Sequence, residues 1–492
     1  MSYTPRSFLH CSLMMGLVAA AACGDDARFS DAGVAGSGAG GGGSGGAGVG
    51  GTGGSTTAAG SGGRGGAAGR PAAGAGAGAG ASGAGAGAGG TAGMPTAGTM
   101  GPAAGSPWSG LASRSVRAKA PPTTPANASE QTPAVMPGQT RAPAPAQLST
   151  VKVQTITDEL DNPWAVEVLR DGRFVVTEKN GTLRVVNTKA EVLGPIAGVP
   201  QVFSSGQGGL LDVAIDEATD PMTLCITYAK PRDGGMNSTA ASCTTATGSD
   251  NLTVAPLKEI FQQEPAWNSA QHFGSRFVFA PDGFIYITTG ERSVASARML
   301  SQDKSATLGK VIRLQRDGSS PSSNPFAADG GKAAQVWSYG HRNLQSAALD
   351  SQGRLWTVEH GPRGGDELNL PQAGKNYGWP IITYGEDYSG QPIGAGMTQM
   401  NGMEQPVYFW DPVIAPSGMV VYSGDLFSSW RGDVLIGGLV AQAVVHLKLE
   451  GDRVVSEERI ELGARVRDVT QGPDGAIYVV TDNGSLLRLT PG

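Results

Sequence analysis

A short hairpin pattern recurs from residue 170 onward and limits the folds that this chain can adopt. In each copy, an Asp-Gly or similar turn is followed by a strand of alternating apolar residues, and such a turn between such runs is typical of a β-hairpin. The clear copies lie at 170–177, 281–287, 351–358 and 473–480. Weaker copies lie at 221–228 and 430–437.

About six hairpin units at irregular spacing, with no long helical pattern, predict an all-β fold of radially repeated four-stranded sheets, a six-bladed β-propeller. A β-sandwich is the competing fold, but it rarely repeats the same hairpin this often. Long loops between the units are expected on one face, where binding sites are built. The fold alone leaves open whether the protein is an enzyme or a docking surface.

Composition changes sharply along the chain. Residues 33–105 are almost entirely Gly, Ala, Ser and Thr, and residues 106–146 are rich in Pro, Ala, Thr and Ser. Segments with so few large apolar side chains cannot offset the entropy lost on ordering. We therefore expect a disordered linker without secondary structure over 24–147, and one large domain over 148–492.

The first residues have the character of an export signal. Residues 1–10 carry Arg6 and no acid, and residues 11–22 form an apolar run that is too short to span a bilayer comfortably. The run Ala-Ala-Ala-Cys ending at Cys23 resembles a lipoprotein signal box. The expectation is a signal peptide over 1–23 and an exported lipoprotein, periplasmic or on the cell surface, anchored to a membrane through lipidated Cys23. An ordinary signal peptide cleaved after a small residue is the alternative.

Charge and cysteine content add two further expectations. The net charge is −6, both signs are mixed along the folded part, and no basic cluster suggests a nucleic-acid partner.

Cys225 and Cys243 flank a presumed loop over 229–242 between two strand-like runs. An isolated pair in an oxidising compartment usually forms a disulfide, which we expect here, and two buried free thiols are the alternative.

Three histidines lie in dense polar motifs: His272, His341 and His360. A buried histidine satisfied by its neighbours is the usual interpretation for any one of them. Their positions at strand starts or ends, next to glycine and charge, favour a function. His446 lies within an apolar run and is expected to be structural.

The segment 361–367 is rich in glycine and contains two acids. Such a loop can turn its carbonyl groups inward and add a carboxylate, a combination that suits Ca²⁺. A zinc site is disfavoured because no close pair of His or Cys ligands is present. The sequence shows no serine-nucleophile motif, dinucleotide fingerprint or phosphate loop.

From about residue 162 onward the chain resembles the soluble pyrroloquinoline-quinone (PQQ)-dependent aldose (glucose) dehydrogenases. The matching motifs follow the family's order along the whole predicted propeller. They lie at 162–165, 206–213, 272–283, 289–292, 340–343, 359–369, 376–380, 414–418 and 465–469.

This resemblance implies oxidation of an aldose sugar to a lactone, with hydride transfer to the quinone. His272 would be the general base that takes the proton of the anomeric hydroxyl, and Arg342 would stabilise the developing oxyanion. The residues implied in cofactor binding are Gln207, Arg342, Asn343, Arg465 and Arg467. Neither the natural sugar nor the electron acceptor follows from the sequence.

The resemblance also implies two Ca²⁺ sites. The carbonyl groups of Gly361 and Pro362 would hold a Ca²⁺ that polarises the quinone. Glu367 and the carbonyl group of Tyr377 would belong to a second, structural site.

Two departures from the family bear on the cofactor. Val440 occupies a position where a lysine commonly meets a cofactor carboxylate, and Val413 replaces a Ser or Thr. Both changes remove polar contacts. The alternative function is therefore a sugar-binding or interaction propeller of the same family with impaired cofactor binding. A lactonase on a similar propeller is a third possibility, but it does not share these motifs.

Overall fold

The computed structural model describes residues 107, 108, 110–123 and 134–492. The expected signal peptide, Cys23 and the Gly/Ala-rich segment lie outside the described residues. In the ranges that are described, the only regular elements besides strands are short helical turns: α1 (Ala295–Arg298) and 3₁₀ helices at Asp233–Gly235, Met299–Ser301, Ala327–Asp329, Ala333–Gln335 and Ser428–Trp430. No helix among these residues has the length and apolar character needed to cross a bilayer.

The strands form six antiparallel sheets, which we call blades 1 to 6. Two strands, β1 (Ser113–Arg117) and β2 (Thr150–Thr157), precede the first blade in sequence. Blade 1 contains β3 (Pro163–Val168), β4 (Phe174–Glu178) and β5 (Thr182–Val186). Blade 2 contains β6 (Leu210–Asp216), β7 (Met222–Pro231), β8 (Asn237–Thr247), the short β9 (Thr253–Val254) and β10 (Lys258–Gln262).

The remaining blades repeat the same plan. Blade 3 contains β11 (Gly274–Phe279), β12 (Phe284–Thr289), β13 (Lys310–Gln315) and β14 (Val336–Tyr339). Blade 4 contains β15 (Leu344–Leu349), β16 (Leu355–Glu359), β17 (Asp366–Asn369) and β18 (Tyr408–Trp410). Blade 5 contains β19 (Pro416–Val421), β20 (Val434–Gly438), β21 (Ala443–Glu450) and β22 (Arg453–Glu461). Blade 6 contains β23 (Val466–Gln471), β24 (Ile477–Thr481) and β25 (Leu486–Pro491), followed outward by β2 and β1.

The first strands of the blades form a closed ring. Strand β3 contacts β6, and the contacts continue through β11, β15, β19 and β23 back to β3. The predicted six-bladed propeller is therefore confirmed. Strand β2 pairs with β25, with Val153 opposite Leu489, so blade 6 combines strands that are distant in sequence and closes the ring.

Each of the six hairpin repeats lies at the turn between the first and second strands of one blade. The glycines at these turns adopt left-handed backbone angles, as at Gly172 (φ 87°) and Gly475 (φ 75°). Only glycine adopts such angles at little cost, which explains why a glycine recurs at this point of every clear copy.

The core lies between neighbouring blades rather than within one sheet. Between blades 1 and 2, Trp164, Leu183, Leu224 and Phe273 belong to one buried apolar cluster. An equivalent cluster joins blades 4 and 5. Burial on both faces of each sheet fixes the angle between adjacent blades, and this angle holds the loops of one face in position.

The expected domain boundary at residue 148 is wrong, because the folded part begins earlier in the chain. Strand β1 pairs with β2, and Trp108 is 3% exposed and packs against Phe174. Further along, the Ala142 N–H donates to the Tyr408 hydroxyl, and the Pro143 carbonyl accepts from Glu457 N–H. Composition indicated disorder, but this segment pairs with outer strand edges, which would otherwise expose unpaired backbone groups.

Cys225 and Cys243 are joined by a disulfide. They lie directly opposite each other on β7 and β8. The segment 229–242 is not the loop that we expected, because the two strands continue to Pro231 and resume at Asn237. The disulfide therefore links two neighbouring strands of blade 2.

Candidate active site

The candidate residues converge because of the blade topology. Gln207, His272, Asn343 and Arg465 each lie just before the first strand of a blade. The second strand is antiparallel to the first, so residues that follow second strands, such as Glu291, reach the same face of the ring. The long loops of that face thus bring together residues that are far apart in sequence.

His272 lies at a tight turn before β11. It has a left-handed backbone angle (φ 50°), and its N–H donates to Gln207 Oε1 at 2.8 Å. Two residues later, a Cβ atom added to Gly274 would lie 2.6 Å from the Thr289 Cα. The segment that carries His272 therefore packs directly against the end of β12, which permits only glycine at position 274.

The His272 side chain is paired with Glu291. Nδ1 of His272 lies 2.8 Å from Oε1 of Glu291, and the two side chains are 3% and 0% exposed. An ionised carboxylate only accepts hydrogen bonds, so Nδ1 carries the proton and Nε2 keeps its lone pair. Burial, and next the charge of Arg342, lower the pKa of His272 to about 4. The imidazole is therefore neutral at neutral pH, the form that a general base requires.

Glu291 is a site residue that sequence reasoning did not single out. It lay within the family motif 289–292, directly after a predicted strand, and this position was the available signal. The next residue, Arg292, is fully buried, and its guanidinium group lies 3.6 Å from the centre of the Phe273 ring. Arg292 also donates to the His272 carbonyl at 3.4 Å, so it fixes the backbone around the candidate base.

Arg342 is joined to the His272 pair through the backbone of Glu291. The Glu291 N–H donates to the Arg342 carbonyl at 2.9 Å. The Arg342 guanidinium donates to the carbonyl groups of His360 at 3.0 Å and Gly361 at 2.6 Å. It also lies 5.2 Å from the centre of the Trp379 ring. A positive charge is therefore held beside the base and beside the loop predicted to bind calcium.

Four of the five residues predicted to bind the cofactor line one cavity. These are Gln207, Asn343, Arg465 and Arg467. The other lining residues are Trp164, Lys179, Leu211, Phe273, Gly274, Gln345, His360 and Leu439. Arg342 and His272 adjoin the cavity through their chain neighbours Asn343 and Phe273. Lys179 and Gln345 were not predicted as site residues, since neither belongs to a motif that suggests a ligand.

The cavity has a positive wall on blade 6. Arg465 and Arg467 each donate from Nε to Asp482 at 2.7 Å. The shared Asp482 carboxylate holds the two guanidinium groups side by side. A cavity lined by such groups suits an anionic ligand, because arginine binds carboxylates in a charge-assisted geometry.

The other motif histidines have internal partners. His360 donates from Nε2 to the Pro416 carbonyl at 2.6 Å, and burial lowers its pKa to about 3. His341 contacts Glu359 and Ser338 and stacks on Tyr377. These contacts give His341 the satisfied, structural environment of an ordinary buried histidine. His446 pairs with Asp433 and Glu458 at 2.9 Å each, away from the cavity, which fits its expected structural role.

The loop 361–365 brings backbone oxygens together. A Cβ atom added to Gly361 would lie 2.2 Å from the Gly364 carbonyl oxygen and 2.3 Å from the Gly365 oxygen. Asp366 shapes the loop, since its two carboxylate oxygens accept from the N–H groups of Gly361, Ile414 and Ala415. Carbonyl oxygens are ligands that suit Ca²⁺ rather than a transition metal.

No cluster of three or more His, Cys, Asp or Glu side chains suited to a metal exists in the part of the chain that the structure describes. A cation near Gly361 and Pro362 would therefore depend on main-chain carbonyl groups and on a ligand. The Gly361 carbonyl already accepts a hydrogen bond from Arg342.

Glu367 lies close to a second buried carboxylate. The Asn369 side-chain amide donates to Glu367 Oε2 at 3.0 Å and to Glu359 Oε1 at 2.9 Å. Burial, and next the charge of Glu359, raise the pKa of Glu367 well above its ordinary value. Tyr377 is near this pair through His341, on which it stacks. A cation bound here would relieve the repulsion between the carboxylates, so the residues fit the expected second calcium site.

Val440 and Val413, the two positions that differ from the family pattern, differ in solvent exposure. Val440 is 38% exposed, and its neighbour Leu439 lines the cavity. Val413 is buried. Neither residue supplies a polar group to a ligand.

Comparison with known proteins places this geometry in a family. The chain matches the model for glucose/sorbosone dehydrogenases over residues 160–488. It is 40% identical over 352 residues to the aldose sugar dehydrogenase YliI of Escherichia coli K12, covering 70% of this chain and 94% of that protein.

Solved structures agree with the sequence matches. The soluble aldose sugar dehydrogenase of E. coli, crystallised in the apo-form, is 39% identical with a TM-score of 0.66, covering 70% of this chain and 100% of that one. The PQQ-bound aldose sugar dehydrogenase of Streptomyces coelicolor is 27% identical with a TM-score of 0.56, covering 70% and 99%. The chain therefore belongs to the glucose/sorbosone dehydrogenase family, whose members include the soluble PQQ-dependent aldose sugar dehydrogenases.

Proposed function

We propose that this protein oxidises aldose sugars to lactones with PQQ as its cofactor and Ca²⁺ as the accompanying ion. The observation that carries this proposal is the buried, neutral His272, oriented by Glu291 and adjoining a cavity with a positive wall. The chain's family of sugar dehydrogenases and the PQQ-bound relative support it.

His272 would act as the general base. Its Nε2 would take the proton of the anomeric hydroxyl, while Glu291 keeps Nδ1 protonated and stabilises the imidazolium that forms. Loss of that proton makes the hydrogen on the anomeric carbon a better hydride donor. When bound, PQQ would accept this hydride, and Ca²⁺ would polarise its reacting carbonyl as a Lewis acid. The sugar thus loses a proton and a hydride and becomes a lactone.

Arg342 would supply fixed positive charge where negative charge develops on oxygen. Its guanidinium group is buried and held by two backbone carbonyl groups, so little reorganisation is needed during the reaction. Arginine stays protonated at working pH. A lysine here would offer a smaller and more mobile charge.

The remaining residues would hold the cofactor and its ions. We assign Gln207, Asn343, Arg465 and Arg467 to PQQ, because they line one cavity. Gly361 and Pro362 would offer carbonyl groups to the Ca²⁺ near the quinone. Glu367 and Tyr377 would belong to the structural Ca²⁺ site.

A sugar-binding or interaction propeller is the second candidate function. It is favoured by Val440 and Val413, which leave two apolar side chains where the family commonly has polar contacts. This alternative requires that PQQ binds poorly, and it makes no use of the His272–Glu291 pair.

We further propose that the protein is exported and anchored to a membrane through lipidated Cys23. The support is the signal-like sequence 1–23 and the Gly/Ala-rich segment that follows it. A long linker would give an anchored catalytic domain the reach to meet sugar and an electron acceptor.

Reconstitution of the purified protein tests the proposed activity. PQQ would be titrated in Ca²⁺-containing buffer, and reduction of an artificial dye would then be measured with several aldoses. Binding with sugar-dependent dye reduction is expected. Binding without turnover would contradict the enzymatic function, and failure to bind under any condition would favour the interaction propeller.

A further inference from the structure

Four residues of the Pro/Ala-rich segment, 139–142, lie along β18, the outer strand of blade 4, and we call them the strap. The Phe409 N–H of β18 donates to the Gln139 carbonyl at 2.8 Å. The Phe409 carbonyl in turn accepts from the Thr140 hydroxyl at 2.8 Å. The strap thus bonds both main-chain groups of Phe409 that an outer strand would otherwise leave exposed.

The Gln139 side chain anchors the strap. It is 1% exposed, and its Nε2 donates to the Pro406 carbonyl, just before β18, at 2.9 Å. Its Oε1 accepts from the N–H groups of Val135 at 3.0 Å and Met136 at 3.2 Å. A buried amide with partners on both sides fixes the strap relative to β18, because leaving these groups unpaired would be costly.

The contacts of the strap lead directly to the candidate second calcium site. Phe409 lies opposite Glu367 on the neighbouring strand β17. The ring of Phe409 stacks on Tyr384 with 3.9 Å between centres, and the Tyr384 hydroxyl donates to Gln139 Oε1 at 3.1 Å. A Cβ atom added to Gly365 would lie 2.8 Å from the Tyr384 carbonyl carbon, so Tyr384 also packs behind the loop that precedes Glu367.

We propose that the strap is a positioning element for the second Ca²⁺ site: Gln139 and Thr140 fix β18, and β18 holds Glu367 where it can bind the ion. This inference rests on the proposed function. The affinity of a Ca²⁺ site depends on its rigidity, and groups that support the ligands contribute to metal affinity without touching the ion. The strap precedes residues 160–488, the part of the chain that matches the family model.

Direct Ca²⁺ binding tests the inference without relying on turnover. Ca²⁺ would be titrated calorimetrically into the purified full chain without PQQ, since the site near Gly361 and Pro362 would depend on a further ligand. Glu367→Gln should abolish the binding and so identify the site. Gln139→Met should weaken it by about 10-fold, as for groups that support metal ligands. Thr140→Val, which removes one hydrogen bond, should weaken it less.

Gln154 on β2 provides a matched control. It is also a buried glutamine that ties the start of the described chain to the propeller, but at blade 6. Its Nε2 donates to the carbonyl groups of Trp108 at 2.9 Å and Leu111 at 3.1 Å. Gln154→Met should lower the free energy of unfolding, as Gln139→Met should, and should leave Ca²⁺ affinity unchanged. A weaker Ca²⁺ affinity in Gln154→Met as well would indicate a general loss of stability and contradict the positioning role.

Wild-type Ca²⁺ affinity in both Gln139→Met and Thr140→Val, with no binding by Glu367→Gln, would overturn the inference and leave the proposed function standing. Absence of Ca²⁺ binding by the wild type, or unchanged binding by Glu367→Gln, would remove the proposed second site and the inference with it. Circular dichroism would establish that each variant is folded. If Gln139→Met did not fold, the milder Thr140→Val would decide the comparison.

Discussion

Nδ1 of His272 lies 2.8 Å from Oε1 of Glu291, across the end of β12 and beneath the protein surface. The contact joins the turn before the first strand of blade 3 to the residues after its second strand. Because both side chains are buried and joined by this hydrogen bond, the imidazole is held in one orientation and one tautomer. The proposed role of His272 as general base follows from this orientation.

Replacing His272 with Ala should abolish most turnover and leave the fold intact. General-base catalysis contributes about 10²–10⁴-fold, so kcat should fall by that order. Steady-state dye reduction would measure the loss, and a PQQ titration would show that the cofactor still binds. His446→Gln is the control, because His446 lies away from the cavity and should affect stability only. A near-native rate in His272→Ala would show that another group is the base.

Replacing Glu291 with Gln should lower kcat and shift the pH profile. The carboxylate raises the pKa of His272 against the larger effect of burial, so its removal should lower that pKa below the wild-type value of about 4. The acidic limb of kcat/KM should move to lower pH. An amide can also donate to Nδ1 and select the wrong tautomer, which reduces the rate. If the acidic limb of kcat/KM did not move, it would report the titration of a group other than His272.

Stability should depend on pH through His272. Its pKa falls from 6.5 to about 4 on folding, so the unfolded chain binds this proton more readily. The contribution is complete above about pH 6.5 and is lost as pH falls toward 4. Denaturant unfolding of His272→Gln should show a smaller loss than wild type across this window. Parallel losses in the two proteins would contradict the pKa shift.

Trp108 should stabilise the propeller despite lying in the Pro/Ala-rich segment. It is 3% exposed against Phe174, and its carbonyl accepts from the Gln154 side chain at 2.9 Å. Trp108→Ala should lower the free energy of unfolding by about 3–5 kcal/mol, as for other buried tryptophans. Leu111→Ala, at a partly buried site, should cost less. An unchanged unfolding midpoint in Trp108→Ala would mean that this segment does not pack in solution.

Replacing Cys23 with Ser should release the protein from membranes and leave its specific activity unchanged. The reason is that the proposed lipid would be attached to the cysteine thiol. Fractionation of cells, with activity assayed in each fraction, would measure the change, and Cys11→Ser would be the control. Unchanged membrane association would indicate an ordinary signal peptide or another anchor.

Local sequence determined the repeated unit of this fold. Turn residues, a glycine with positive φ in five of the six hairpins, and the alternation beside them act over about ten residues, so the hairpins are visible in the sequence. The domain boundary predicted at residue 148 was wrong for a related reason. Composition gives the average character of a segment and does not show which of its residues contact strands that are distant in sequence. Trp108 is buried and β1 pairs with the outer strand β2, so the described part of this segment packs on the propeller.

In the candidate active site, too, the sequence predicted some features and the tertiary structure decided others. His272 and Arg342 were identifiable from motifs, and their assigned roles stay predictions. The partnership of His272 with Glu291, the sharing of Asp482 by two arginines and the approach of Lys179 were decided by the tertiary structure. These contacts arise only when the ring closes and places strand ends from different blades on one face. No period or propensity within a single segment encodes that convergence, because it depends on packing between blades.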